Sequence, residues 1–104
     1  MARKPHVGPA ADPELLILSS LAAGPNHGYG MMSDIAEGMG VTLGPGTLYT
    51  AITRLVEKGF VAPEPGVGRQ RPYRLTEKGG KHLETRLADM RRLASFGLRR
   101  LRTA

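Results

Sequence analysis

Apolar and polar positions separate cleanly along residues 46–55, Gly-Thr-Leu-Tyr-Thr-Ala-Ile-Thr-Arg-Leu. Leu48, Ile52 and Leu55 stand at i, i+4 and i+7 and form one stripe of a helix. Thr47, Thr50, Thr53 and Arg54 fall on the opposite side. Upstream, residues 14–23 are apolar nearly all round, which suits a helix buried in the core and also in a subunit interface. Asp12 is placed to cap that helix and Pro13 to occupy its first position, where a missing N–H costs nothing. Gly24 and Pro25 end it. A second helix opens at residues 26–30 and runs through Met31, Met32, Ile35 and Ala36 to about Glu37. Residues 38–44 then form a turn, and Pro45 starts the third helix with Gly44 as its N-cap. Glycine offers no side-chain oxygen there, so the amides of Gly46 and Thr47 stay free at a positive helix end, where a phosphate could satisfy them.

The third helix stops at residues 57–59, with Gly59 in the position after the cap. Residues 60–62 read as a short strand, residues 64–71 as a turn-rich cationic tip, and residues 73–76 as the return strand. Pro72 cannot donate a ladder hydrogen bond, which places it on an edge or at the hairpin's mouth. Thr76 caps a last helix running to about Arg102. In that helix Leu83, Leu87, Met90, Ala94 and Leu101 follow a heptad spacing, with Gly97 at the vacant position and Leu93 and Leu98 widening the stripe. The expected fold is therefore mainly α with a small β-hairpin. It is a winged helix-turn-helix over residues 12–76, preceded by a flexible arm at 1–11 and followed by a C-terminal dimerisation helix at 77–104.

A chain of 104 residues holds one domain with a small core, and it gains from pairing with a second copy. It contains no cysteine, which removes disulfides, cysteine-ligated zinc and thiol catalysis. No apolar run is long enough for a signal peptide or a membrane span, so a soluble, cytoplasmic protein is expected. The net charge of +6 is unevenly placed. Residues 69–104 hold eleven Lys or Arg against three acids, whereas residues 1–68 hold four against six. A cationic wing and last helix attract a polyanion. A membrane-surface helix or a solvated face would carry the same charge, and it is the attachment to a helix-and-wing pattern that favours nucleic acid.

That pattern assigns DNA contacts to Thr47, Tyr49, Thr50, Thr53 and Arg54 on the third helix and to Arg69, Gln70 and Arg71 at the wing tip. Tyr49 can serve packing and phosphate alike. Arg54 is either a base reader or a structural ion-pair partner, and Arg74 is a solvated strand residue. Arg3 and Lys4 could reach a minor groove, or belong to an arm with no role. The dimerisation set is Leu15 and Leu18 of the first helix with Leu83, Leu87, Met90, Ala94, Leu98 and Leu101 of the last. The last helix could also pack back on its own first helix. Met31 and Met32 with the first and last helices could frame a pocket for a small effector. Nothing in the chain suggests an enzyme. Its three histidines share no metal-ligand spacing, with His27 placed to cap the second helix and His82 to face solvent beside Lys81. The glycines at 28 and 30 lack the Gly-Lys-Ser/Thr of a phosphate loop. No metal and no cofactor are expected. The competing class is a winged-helix protein-interaction module that does not bind DNA, and the cationic wing argues against it.

His27-Gly28-Tyr29, Ile35, Gly46-Thr47-Leu48-Tyr49, Arg54-Leu55, Gly59-Phe60-Val61, Gly68-Arg69, Tyr73-Arg74-Leu75-Thr76 and Gly79 stand in an order and spacing that resembles PadR-like transcriptional regulators. The motifs span residues 13–84. The resemblance implies a homodimeric winged-helix repressor on a pseudo-palindromic double-stranded DNA operator, often of efflux or stress genes. It also implies release by a small aromatic or lipophilic compound bound near the dimer interface. The short C-terminal helix resembles the smaller subgroup, in which that helix dimerises against the partner's first helix. Val56 stands where the family commonly has an acid, and Gly44 where a serine is frequent. The chain has no tryptophan, the residue that lines the drug pocket of some relatives.

Overall fold

A computed structural model describes residues 12–66 and 71–103. Six elements follow one another: α1 (Pro13–Leu21), α2 (Gly28–Met39), α3 (Pro45–Glu57), β1 (Val61–Pro63), β2 (Tyr73–Leu75) and α4 (Glu77–Thr103). The fold is mainly helical with one small antiparallel hairpin, in the order of a winged helix-turn-helix.

Local signals set the helix ends. The Asp12 carboxylate accepts from the amides of Glu14 and Leu15 at 3.1 and 3.3 Å. His27 caps α2 as expected, its Nδ1 accepting from the Gly30 amide at 3.2 Å. Gly44 caps α3 without a side-chain bond. Thr76 caps α4, its hydroxyl accepting from the Gly79 amide at 3.0 Å. At the end of α3, Gly59 has φ +81, which lets the chain turn back into β1.

Boundaries of α1, α2 and both strands differ from the sequence expectation: α1 ends at Leu21, ahead of Gly24, and β2 stops at Leu75, leaving Thr76 to cap α4. The second helix runs two residues past Glu37, and the turn begins at Gly40, whose φ is +69. Gly38, the expected helix breaker, lies within the helix; a helical glycine costs about 1 kcal/mol, which the burial of Met31 and Ile35 outweighs. The first strand is Val61–Pro63, one residue later than expected, because Phe60 is occupied in the helix stop, its amide donating to the Leu55 carbonyl at 3.0 Å.

The core lies where α1 meets the buried faces of α2 and α3. Ile17, Leu18, Leu21, Met31, Leu48, Leu55 and Val61 are its fully enclosed side chains. The hairpin pairs Val61 with Leu75, Ala62 with Arg74 and Pro63 with Tyr73. Pro72 sits at the hairpin's mouth, where its carbonyl accepts from the Glu64 amide at 2.8 Å. The α1–α2 loop adds one rung, because Asn26 and Tyr73 exchange backbone hydrogen bonds at 2.9 and 3.1 Å. The base of the wing is thereby tied to the start of α2. Among the described residues no helix is long and apolar enough to cross a membrane.

Candidate nucleic-acid interface

The third helix divides as its sequence pattern requires. Leu48, Ala51, Ile52 and Leu55 are 0–5% exposed. Thr47, Thr50, Thr53 and Arg54 are all exposed on the other face. Burying three large aliphatic side chains stabilises the placement of this helix by roughly 1.5–3 kcal/mol each. The hydroxyl face is thus presented on a rigid element rather than on a loop.

Two contacts fix the helix at its ends. Near its start, the Tyr49 side chain lies over Gly28, so closely that a side chain at Gly28 would collide with the phenol hydroxyl. Tyr49 nonetheless keeps 39% of its surface exposed, so one residue both packs α3 on α2 and faces outward. At its end, Lys58 donates to Glu14 of α1 at 2.8 Å. Arg54 enters no ion pair among the described residues and points its charge to solvent.

Beside the exposed face runs a groove of about 430 Å³, walled by Asp12, Pro13 and Glu14 of the α1 start and by Thr47, Thr50 and Arg54 of α3. The start of α1 therefore borders the hydroxyl face, which no spacing in the sequence reveals. The only trace of it in the chain is the opposite charge of Glu14 and Lys58, 44 residues apart.

Of the wing residues, Arg71 is exposed just outside β2, whereas Arg69 and Gln70 lie outside the described residues, as do Arg3 and Lys4. Arg74 is not simply solvated. Its Nε lies 3.3 Å from a Glu64 carboxylate oxygen, an ion pair across the hairpin that braces the strands behind the tip. His82 does not face solvent beside Lys81. It is half-buried and stacks on Phe60 with ring centroids 4.3 Å apart, which locks the start of α4 to the helix stop before the wing.

The residues assigned to pairing behave in two ways. Leu18 is 1% exposed and enclosed by the chain's own core, whereas Leu15, 5% exposed, borders the open cavity between α1, α2 and α4. Leu83 is likewise buried, and Met90 is half-buried. By contrast Leu87, Leu98 and Leu101 are 43%, 56% and 73% exposed, and Ala94 is exposed as well. Met31 is fully buried in the core, and it does not line the apolar cavity between the first, second and last helices, contrary to its expected place in an effector pocket. That open, mainly apolar cavity of about 420 Å³ lies between α1, the end of α2 and the middle of α4. Leu15, Leu16, Ile35, Met39, Leu87 and Met90 line it. At its polar edge the Ser20 hydroxyl donates to Asp34 at 2.6 Å.

Comparison with known proteins agrees with this geometry. The sequence model of the Transcriptional regulator PadR-like family matches residues 17–85. A PadR family transcription regulator from Clostridium difficile R20291 superposes with a TM-score of 0.74 at 26% identity, over 81% of this chain and 92% of that one. A transcriptional regulator from Clostridium thermocellum gives 0.72 at 25% identity, over 80% and 86%. The chain is also 45% identical over 83 residues to an uncharacterized 37.1 kDa protein in transposon TN4556 of Streptomyces fradiae. That match covers 80% of this chain and only 24% of the relative.

Proposed function

Because this chain belongs to the PadR-like family of transcriptional regulators, non-enzymatic DNA-binding proteins, we propose that it acts as a homodimeric repressor of nearby genes, of the efflux or stress type. One observation carries the reading: a helix buried to 5% exposure or less on one face sets three threonines and an exposed arginine side by side on the other. Each copy inserts α3 into a major groove of a pseudo-palindromic operator and lays its arginine-bearing wing along the backbone or minor groove. Occupancy of the operator then excludes the transcription machinery.

The exposed half of α4 supports pairing. Leu93, Phe96, Leu98 and Leu101 keep 48–73% of their surface, more than a lone helix gains from showing to water. From residue 91 to 103 this helix carries five arginines and no acid, while Asp34 lies on the α2 side of the apolar cavity. Laying the basic, leucine-rich end of one α4 across the partner's α1–α2 cavity joins apolar to apolar and cation to anion.

The test is a fluorescence-anisotropy titration against the promoter of the chain's own operon at several salt concentrations. Replacing Arg69 and Arg71 by Ala is expected to weaken binding to every sequence and to flatten the log–log salt slope by about 0.9 for each phosphate that is no longer neutralised. An unchanged slope removes the wing from the footprint. Binding of a small lipophilic or aromatic effector in the cavity beside Asp34 is the means of release in this reading. Melting curves with a broad panel of such compounds are expected to include stabilising ones, and a panel without any would leave a repressor with no effector of that kind.

A further inference from the structure

The exposed threonines of α3 are not equivalent. The Thr53 hydroxyl donates its proton to the Tyr49 carbonyl one turn earlier, at 2.9 Å. A hydroxyl has a single hydrogen, so Thr53 has no donor left. What it still offers outward is a methyl group and an oxygen that can only accept. Thr47 and Thr50 are exposed and form no such bond among the described residues, so their hydroxyls turn freely to donate or to accept.

The difference matters for base reading. Thymine presents a carbonyl acceptor and a methyl in the major groove, and the methyl is read by apolar contact, a threonine methyl included. A thymine carbonyl needs a donor, which Thr53 has already spent. Guanine offers only acceptors there and is refused on the same ground. Thr50 and Thr53 stand three residues apart on one face, and Arg54 follows Thr50 by four, so the three share one stretch of the exposed surface. Arg54 supplies five donors for guanine beside a side chain that supplies none.

Resting on the reading of α3 as the groove helix, we infer that Thr53 is a specificity-determining residue that reads a thymine through its methyl group, its hydroxyl serving the helix and not the DNA. The internal bond also holds one rotamer, so the methyl is presented without the entropy cost of fixing it on binding. Valine keeps a methyl in that place and gives up only the hydroxyl, whereas serine keeps the hydroxyl and gives up the methyl.

The experiment is a thymine-to-uracil scan of the operator by anisotropy, with the wild-type protein, Thr53→Val and Thr53→Ser. Uracil differs from thymine only by the missing methyl. The expected result is one thymine in each half-site whose replacement weakens wild-type binding about fourfold, the worth of one buried methyl. Thr53→Val should keep that loss, and Thr53→Ser should bind thymine and uracil operators alike. Melting curves of the three proteins confirm equal folding. Persistence of the uracil effect in Thr53→Ser overturns the inference, as does a wild type that binds its operator with no thymine dependence. A wild type that binds no duplex overturns the regulator reading and this one with it.

Discussion

Gly28 and Tyr49 show how much one missing Cβ sets in this protein. The phenol ring of Tyr49 occupies the space that a side chain at Gly28 would fill, and that contact fixes the start of α3 against α2. Gly28→Ala is expected to cost about 1–3 kcal/mol, the usual range for overfilling a packed site. Because Tyr49 is partly exposed, its ring can swing outward, and the cost should vanish in a Tyr49→Ala background. A double-mutant cycle by thermal melting checks this, and additive losses would mean that the two residues do not touch. Gly79→Ala offers a harsher comparison. Its Cβ would meet the Phe60 backbone carbonyl, which has no such freedom. At this scale the sequence was partly legible. The threonine and leucine faces of α3 follow from spacing alone. The spent hydroxyl of Thr53, the Phe60–His82 stack and the Arg74–Glu64 pair depend on rotamers and on neighbours that spacing does not encode.

Among the elements, α4 is the one whose own domain does not account for it. Only Gly79 and Leu83 of its 27 residues are buried. Replacing Leu87, Leu98 and Leu101 together by Ser is expected to leave the winged domain folded and to separate the copies. If pairing buries these side chains at roughly 1.5 kcal/mol or more each, the six in a dimer make the dimer constant fall by a factor of about a million or more. Sedimentation velocity with circular dichroism reads both effects, and a triple variant that sediments like the wild type would show that α4 does not pair through these leucines. The starts of α1 and α4 and the end of α3 were legible because caps and stops are local chemistry: Asp12, Thr76 and Gly59 act within four residues of themselves. The end of α2 is harder to read because two glycines, Gly38 and Gly40, both resemble a stop. Only the second has the positive φ that ends a helix, and core packing carries the first. The apolar run that contains Leu15 and Leu18 suggests pairing, but a run apolar on every side says that a helix is buried and not what buries it.

At the scale of the whole molecule, long-range ties hold these elements in one frame. Asn26–Tyr73 joins the wing to the start of α2, and Lys58–Glu14 joins the end of α3 to the start of α1. The first left no trace in the sequence and the second only a pair of opposite charges, since each links residues with no shared periodicity. In the proposed dimer, two copies related by a two-fold axis would present two identical helices to a duplex, and the operator would have to match their separation. Hydroxyl-radical and methylation footprinting of the bound promoter measures that separation directly. The account predicts two symmetric major-groove patches centred ~34–36 Å apart, about 10–10.5 base pairs, or a whole multiple of this, each flanked by backbone protection from a wing. A single patch, or protection with no two-fold symmetry, would contradict it.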